Sequence, residues 1–323
     1  MIKLNLYKLT LPVLLIFSSW VQATPTFSNI YIFGDSLSDT GNLASIIGDL
    51  PQPYYMNRIT NGPVSVETLT EKLGHSANAS LHLLGLNAGT NYSVARASAA
   101  GEEQIDLNTQ VLSFQVNHGF VAPSDALYVL FIGGNDVRSA LVAADNKDAK
   151  SIIKAAAKEV KSAIKNLSII GAKSFLVVNA PNIGIIPETQ IIAAATESPE
   201  LIGRGRMLSN KYRKALHKAV ENLQEHNDIE ITEFDLFRFF NRLVKNADKY
   251  GFTNTTDACF SSVTFTFHPD CNFGLNFDQF IFFDEIHPTA RVHSIVGDSM
   301  AESFLDDDEY DYDKNDDEHY DDD

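Results

Sequence analysis

The stretch ALYVLFIGGND, residues 126–136, decides the fold class of this chain. Its first seven residues are continuously apolar, which is typical of a strand in a parallel sheet whose two faces are both covered. Two glycines then end the apolar run, and the polar pair Asn135 and Asp136 follows. The stretch therefore predicts a buried strand that runs into a polar loop.

Apolar runs of the same kind recur along the chain. Residues 30–33 and 174–178 predict two more buried strands, whereas residues 229–234 alternate more and are expected nearer a sheet edge. Residues 91–94 predict a weaker strand. Between the strands, helical spacing of apolar residues predicts three helices: from Ser151 to a stop near Gly171, across Leu208 to Leu223, and after Pro288 in the first turn. This alternation predicts an α/β fold, a three-layer α/β/α sandwich with a mostly parallel central sheet.

The two ends of the chain differ from this body. Lys3 and Lys8 precede an apolar run at 9–20 and then a small residue, Ala23, which is the pattern of a secretion signal. Residues 306–323 contain twelve of the 42 acidic residues and one of the 25 basic residues, so a disordered acidic tail is expected. We therefore predict a signal peptide at 1–23, one domain at 24–305, and export to the periplasm or the medium.

Composition also narrows the partners and cofactors. The net charge of −17 argues against nucleic acid as a partner, because the protein would repel phosphates. Cys259 and Cys271 are close in sequence in a chain expected to be exported, which indicates one disulfide. A structural zinc needs four ligands and only His268 lies nearby, so neither a metal nor an organic cofactor is expected. The oligomeric state stays open, with a monomer favoured.

Polar residues that can do chemistry follow several predicted strands. Ser36 follows the first strand, Asn135 and Asn179 follow two others, and Asp284 and His287 come after the apolar residues 280–283. In open α/β sheets the functional site lies outside the carboxyl ends of the strands, so these groups are expected to converge. A serine hydroxyl needs a base and oxyanion donors to act as a nucleophile. The nucleophile elbow G-x-S-x-G is absent, because Ser38 stands where its second glycine would be.

Three sequence blocks in order resemble the GDSL, or SGNH, hydrolases. They are GDSLSDTGN at 34–42, GGND at 133–136 and DEIHPT at 284–289, and the resemblance covers about residues 28–304. It implies an SGNH-hydrolase, flavodoxin-like sandwich. Finer features resemble the secreted bacterial lysophospholipase A and glycerophospholipid–cholesterol acyltransferase branch: RITNGP at 58–63, VNAPNIG at 178–184, YGFTN at 250–254 and the cysteine-closed segment 259–271.

The resemblance implies a role for each site residue. Ser36 would attack an ester carbonyl, His287 would take and return its proton, and Asp284 would orient the imidazole, with Glu285 or Asp278 as alternatives for that acid. The backbone N–H of Ser36 and the side-chain amide of Asn135 would bind the oxyanion. Asn61 and Asn179 are candidates for the substrate cleft.

One block departs from the family pattern. Where members have a segment like NYAVGGA, this chain has NYSVARA at 91–97, so Ala95 and Arg96 replace glycines. A glycine of this segment usually supplies a third oxyanion N–H. Three alternatives stay open: Arg96 donates through its backbone, Gly101 replaces it after a local shift, or two donors suffice. The Arg96 guanidinium would select an anionic head group or would simply face solvent or pair with Glu102.

The function expected from these residues is ester hydrolysis by an exported serine esterase. The family branch implies lipid acyl esters as substrates, as in a lysophospholipase or phospholipase A, with or without acyl transfer to a sterol; the partner is then a lipid or lysophospholipid and, with it, a membrane surface. Two alternatives remain. One is a carbohydrate or small-ester deacetylase on the same fold. The other is a catalytically silent descendant that binds lipid or a surface partner.

Overall fold

The computed structural model describes residues 26–224 and 228–305. The predicted signal peptide and the predicted acidic tail lie outside the described residues.

Four parallel strands form the central sheet. In spatial order they are β1 (Ile30–Gly34), β2 (Leu127–Phe131), β3 (Ser174–Val178) and β4 (Glu230–Phe234). Each strand pairs with the next over five residues without a register shift. The first three strands are almost entirely buried, whereas β4 lies at an edge and exposes Glu230. The predicted edge position of residues 229–234 is therefore confirmed.

Nine α-helices are present among the described residues, and none of these is long and apolar enough to cross a membrane. Their bounds, in chain order, are α1 Asn42–Ile47, α2 Ser65–Lys72, α3 Leu107–Asn117, α4 Gly134–Leu141, α5 Asn146–Ile169, α6 Pro187–Ala195, α7 Glu200–Gln224, α8 Leu236–Lys245 and α9 Ala290–Leu305.

The helices cover both faces of the sheet. On one face, Tyr31 and Tyr128 from neighbouring strands contact Phe114 of α3, and α3, α5 and α7 pack side by side. On the other, Phe131 lines a space together with Val292 of α9, and α9 packs on α2. Since successive side chains of a strand point to opposite faces, these contacts define three layers. The predicted three-layer sandwich is confirmed.

Helix α5 illustrates how the local sequence sets an element. The Asp145 carboxylate accepts hydrogen bonds from two backbone N–H groups of the first turn, which satisfies donors that a helix start leaves free. The apolar positions from Ile153 to Leu167 are buried and the lysines lie on the opposite side. Gly171 follows the last turn with a φ of 122°, a conformation that favours glycine, so the predicted stop is confirmed.

The predicted weak strand at 91–94 is an irregular extension of the sheet. Its backbone follows β1, because Tyr92 N–H donates to the Ile32 carbonyl at 2.7 Å and Val94 N–H donates to the Gly34 carbonyl at 3.1 Å. On the far side, the Asn42 amide binds the carbonyls of Asn91 and Ser93, both at 2.8 Å. A side chain therefore occupies acceptors that another strand would use, and no regular ladder forms.

The apolar residues before Asp284 belong to a different sheet from the one expected. After α8 come β5 (Asn254–Ala258), β6 (Phe260–Ser261), β7 (Thr266–Phe267) and β8 (Phe280–Phe282). Strand β8 pairs in parallel with β5, and β6 pairs with β7 in an antiparallel hairpin. Pro288 is also outside the first turn of α9, because its backbone bridges back to Phe282 and the helix begins two residues later.

Candidate active site

Ser36 lies in a tight turn directly after β1 and does not start a helix. The turn is closed by the Asp35 carbonyl, which accepts from Ser38 N–H at 3.1 Å and Asp39 N–H at 3.0 Å. Helix α1 begins six residues after Ser36 and is capped by Asp39, whose carboxylate accepts from the backbone of residues 41, 42 and 43. The Ser36 hydroxyl is therefore available for another partner.

Gly34 lets the turn leave the sheet at this point. A Cβ on Gly34 would lie 2.5 Å from the carbonyl oxygen of Phe131 on the neighbouring strand, so no side chain fits. The Gln110 side chain of α3 binds both backbone groups of Gly34, accepting from its N–H at 2.9 Å and donating to its carbonyl at 2.8 Å. The end of β1, and with it Ser36, is fixed from two sides.

His287 lies between Ser36 and Asp284. Its Nε2 is 2.8 Å from Ser36 Oγ, and its Nδ1 is 2.9 Å from both carboxylate oxygens of Asp284. The histidine and the acid are almost fully buried. If Nδ1 carries the proton and donates it to Asp284, Nε2 is left as an acceptor toward the serine hydroxyl. The structure thus brings together three residues that are up to 251 positions apart.

The Asp284 carboxylate is held in a single orientation by the turn that follows it. Oδ1 accepts from the backbone N–H of Ile286 at 2.8 Å and of His287 at 2.7 Å. Neither alternative acid pairs with His287 among the described residues: the Glu285 carboxylate accepts from Ser262, and Asp278 is exposed. Asp284 is therefore the acid that contacts His287.

Asn135 lies in the first turn of α4, beside Ser36 at the same cavity. Its amide nitrogen donates to the Ala97 carbonyl at 2.9 Å, and its oxygen accepts from Arg138 at 3.0 Å. Arg138 also forms a two-pronged ion pair with Glu188 at 2.7 and 2.5 Å. These contacts fix which end of the amide is the donor, and the second N–H of its nitrogen remains for a substrate.

Sequence reasoning did not find the role of Arg138. It is three residues after Asn135 in α4, one turn along the same helix face, which is the signal that was available. Its partner Glu188 is at the start of α6, and no sequence pattern connects the two.

Arg96 adopts the backbone conformation that glycines favour. Its φ is +78°, and it is the third residue of a turn closed by Ala97 N–H donating to the Val94 carbonyl at 3.1 Å. Its flanking residues reach the site, since Ala95 N–H donates to Asp39 and the Ala97 carbonyl binds Asn135. The side chain is exposed, and the described residues offer it no ion pair with Glu102. Gly101 instead packs against the Asp106 carboxylate.

We expect the Arg96→Gly variant to be more stable than the Arg96→Ala variant by about 1 kcal/mol. A residue with a Cβ pays strain at positive φ, and only glycine removes it, while both variants lose the guanidinium. For a domain of this size the difference corresponds to roughly 2 °C in the melting temperature, measured by calorimetry. Equal melting temperatures of the two variants would contradict the strain.

A largely apolar cavity opens beside the Ser36 hydroxyl and the His287 ring. It extends between the sheet, α8 and α9. Its apolar lining includes Phe131, Ile183, Ile186, Leu236, Phe240, Phe282, Val292 and Val296. Such a surface suits a hydrocarbon portion of a ligand.

A second histidine lines this cavity and is uncharged. His293 is buried, and burial lowers its pKa to about 3. Its Nδ1 lies 2.8 Å from the Ser65 hydroxyl and accepts from Ser65 N–H at 3.1 Å. The ring is therefore neutral at physiological pH, and the cavity keeps its apolar character.

Asp35, next to Ser36, is a buried carboxyl residue that lines this cavity. It is 2% exposed, and burial raises its pKa to about 7. The hydrogen bond from Leu37 N–H at 3.0 Å and the nearby His287 lower the pKa, but by less than burial raises it. A raised acid pKa means that the folded state binds a proton more readily than the unfolded chain. The charge of Asp35 therefore destabilises the fold as the pH rises from about 4 to 7, and this cost is constant above 7.

We expect Asp35→Asn to stabilise the protein at pH 8 by up to about 4 kcal/mol, because an amide accepts the Leu37 hydrogen bond without a buried charge. The gain should shrink as the pH falls and vanish near pH 4. Urea unfolding of both proteins from pH 4 to 8 measures this gain. Subtracting one free energy of unfolding from the other removes the contribution of the other titrating groups, which both proteins share. A gain that does not depend on pH would contradict the assignment.

The two asparagines expected at the substrate cleft bind backbone instead. Asn61 accepts from Ala290 N–H at 2.9 Å and so caps α9. Asn179 accepts from Phe237 N–H at 2.9 Å and donates to Asp235 at 3.0 Å, which fixes the start of α8. Neither lines the cavity at Ser36; they position helices that form the cavity wall, and a cleft role for them stays a prediction.

Cys259 and Cys271 form a disulfide, as expected. Both sulfurs are buried and pack with Phe280 of β8. The bond therefore joins the residue that follows β5 to the loop that precedes β8.

Comparison with known proteins identifies the family. The family model described as GDSL-like Lipase/Acylhydrolase matches residues 30–300. A phosphatidylcholine-sterol acyltransferase from Aeromonas hydrophila is 25% identical, over 87% of this chain and 91% of its own length. Lipase 1 from Photorhabdus luminescens is also 25% identical, over 86% of this chain but half of its own.

Solved structures include a catalytic mutant of an acetylxylan esterase from Geobacillus stearothermophilus. It is 13% identical with a TM-score of 0.42, over 86% of this chain and 92% of its own. The match to the family model spans most of the chain, including the blocks that contain Ser36, Asn135 and His287. The chain therefore belongs to the GDSL-like lipase/acylhydrolase family.

Proposed function

We propose that this protein is an exported serine esterase that hydrolyses acyl esters of lipids, as a lysophospholipase or phospholipase A. One observation carries the proposal: Ser36 Oγ is 2.8 Å from His287 Nε2, His287 Nδ1 is 2.9 Å from Asp284, and this triad opens into an apolar cavity.

The first half of the reaction forms an acyl enzyme. His287 Nε2 removes the proton of the Ser36 hydroxyl as Oγ attacks the ester carbonyl, and the imidazolium then protonates the departing alcohol oxygen. Asp284 accepts the Nδ1 proton in a hydrogen bond throughout and stabilises the imidazolium without taking its proton. In the second half a water attacks the acyl group by the same route and regenerates the serine.

The negative charge on the carbonyl oxygen needs donors that are in place beforehand. We assign the Ser36 N–H and the free N–H of the Asn135 amide to this role, with Arg96 N–H as a third donor. The Arg96 N–H has no acceptor among residues 26–224 and 228–305, which supports that assignment. Loss of one donor typically costs about 2.7–4 kcal/mol of transition-state stabilisation.

The apolar cavity supports a lipid acyl chain as the substrate portion bound beside Ser36. Two relatives, a phosphatidylcholine-sterol acyltransferase and a lipase, support the same substrate class. Export follows from the predicted signal peptide at 1–23, with a single hydrolase domain at 24–305 and an acidic tail at 306–323 as the proposed organisation.

Hydrolysis of a graded substrate series tests the proposal. p-Nitrophenyl esters of increasing chain length should be cleaved with a kcat/KM that rises from acetyl toward medium chains. Lysophosphatidylcholine should be a better substrate than acetylated sugars, and adding cholesterol would reveal acyl transfer as a cholesteryl ester.

Two results would overturn the proposal in different ways. Preference for acetyl esters and acetylated sugars would establish the deacetylase alternative. Absence of turnover on every ester, with the protein folded, would establish a silent lipid-binding descendant.

A further inference from the structure

Four large apolar side chains are exposed in the segment 259–276 that follows β5. Val263 is 80% exposed, Phe265 61%, Phe273 86% and Leu275 79%. We call these four residues the apolar tip. Two lie in the β6–β7 hairpin and two in the loop after Cys271, and the disulfide joins the bases of both loops.

The apolar tip is fastened to the candidate active site. Phe260 N–H, at the base of the hairpin, donates to the Phe283 carbonyl at 2.8 Å, directly before Asp284. On the other side of Asp284, the Glu285 carboxylate accepts from the hydroxyl and the N–H of Ser262, at 2.6 and 3.1 Å. Below the tip, Phe260 stacks on Phe283 with ring centroids 5.8 Å apart. The exposed loops are therefore attached by hydrogen bonds and ring packing to the residues on either side of Asp284.

Charge distinguishes the apolar tip from the rest of the protein. Residues 259–276 contain no lysine or arginine and a single acidic residue, Asp270, in a chain of net charge −17. A surface of this kind cannot attract an anionic lipid bilayer, which normally binds basic residues. The net negative charge of the whole chain also makes self-association through this tip unfavourable, because two acidic copies would repel each other. A lipid surface without net charge is the partner that fits both properties.

We propose that the apolar tip docks the protein on the surface of zwitterionic lipid aggregates, with Phe265 and Phe273 inserted among the acyl chains. The inference rests on the proposed function, since it explains how an ester held in a bilayer or micelle reaches Ser36. Aromatic side chains are well suited to a membrane interface, and four exposed apolar residues give the area needed for reversible binding.

A second exposed apolar group provides a competing explanation and a matched control. Phe120 and Val121, 56% and 68% exposed, precede β2 at the end of the sheet opposite Ser36. Phe120 has a φ of 59°, close to 57° for Phe265 and 54° for Phe273. Asparagine tolerates this conformation well, so replacing each pair by asparagine changes apolar area without adding backbone strain.

The experiment measures partition onto vesicles in a Ser36→Ala background, so that the lipid stays intact and binding does not depend on hydrolysis. The parent should co-float with phosphatidylcholine vesicles, and less so when phosphatidylglycerol is added. Phe265→Asn with Phe273→Asn should reduce the partition coefficient at least roughly tenfold. Phe120→Asn with Val121→Asn should leave it unchanged.

Each other outcome overturns the proposal. Three of these concern vesicle binding: equal binding by the tip variant and the parent, loss of binding in the Phe120 control, or stronger binding to phosphatidylglycerol. The fourth is a parent dimer that dissociates only in the tip variant. Melting temperatures verify folding. With Ser36 restored, the tip variant should hydrolyse a soluble short-chain ester at the parental rate and lose activity on vesicles only. If the proposed function itself were wrong, the parent protein would hydrolyse no ester.

Discussion

Replacing Ser36 by alanine is expected to lower kcat for ester hydrolysis by about 10⁴- to 10⁶-fold, because the residual rate would come from oxyanion donors and substrate binding alone. The reason is geometric: the hydroxyl is the oxygen at 2.8 Å from His287 Nε2, and an alanine leaves the base with no proton to remove. KM should change little, since the hydroxyl contributes to the transition state more than to substrate binding. A soluble p-nitrophenyl ester provides the measurement.

Ser38 supplies a control two residues away. It is buried, and its hydroxyl has no hydrogen-bond partner among the described residues, so Ser38→Ala removes an oxygen from the same turn without breaking a contact. We expect near-parental kcat for this variant.

A covalent probe gives a readout that does not depend on the substrate. A fluorophosphonate should add one phosphonyl group to the parent and to Ser38→Ala, seen as a mass increase of the intact protein, and none to Ser36→Ala. Labelling of Ser36→Ala at the parental rate would remove Ser36 from the proposed role.

The central fold was predictable because burial on both faces demands apolar strands. Residues 126–132 and 175–178 are apolar without interruption, and the strands Leu127–Phe131 and Ser174–Val178 follow them closely. Strand β5, with the sequence NTTDA, lacks that signal because it is only partly buried, at the periphery. Its pairing with β8 depends on contacts far apart in the chain.

The grouping of the candidate site residues was predictable where they belong to dense motifs and not where a single residue type serves several roles. Ser36, Asn135 and His287 each belong to a block whose neighbours support the same interpretation. An asparagine amide, by contrast, caps a helix as readily as it contacts a ligand, and the helix starts at Ala290 and Leu236 were not known from sequence. Asn61 and Asn179 were therefore assigned to the cleft although they bind backbone.

Arg96 marks an intermediate case. The sequence indicated that a residue with a Cβ replaces a family glycine, and the φ of +78° agrees with the strain that this exchange implies. The direction of the side chain depends on its surroundings, and the structure leaves it exposed.

Asp284→Asn is expected to lower kcat by about 10⁴-fold while the fold stays intact. The amide oxygen of asparagine can still accept from the backbone N–H groups of Ile286 and His287, so the turn is preserved. Its NH₂ group, however, would face His287 Nδ1 and favour the tautomer in which Nδ1 is the acceptor. The proton would then be on Nε2, facing Ser36, and the imidazole could no longer remove the proton of the serine.

Glu285→Gln is the matched control for this variant. It is the adjacent acid, its carboxylate accepts from Ser262, and a glutamine oxygen can keep that contact. We expect close to parental kcat, together with parental labelling of Ser36 by the fluorophosphonate, whereas Asp284→Asn should label slowly in proportion to its kcat. If Glu285→Gln lost activity and Asp284→Asn retained it, Glu285 would be the orienting acid. The 2.9 Å contact between Asp284 and His287 would then be structural, since an acid that sets the tautomer of the base cannot be replaced by its amide without loss of rate.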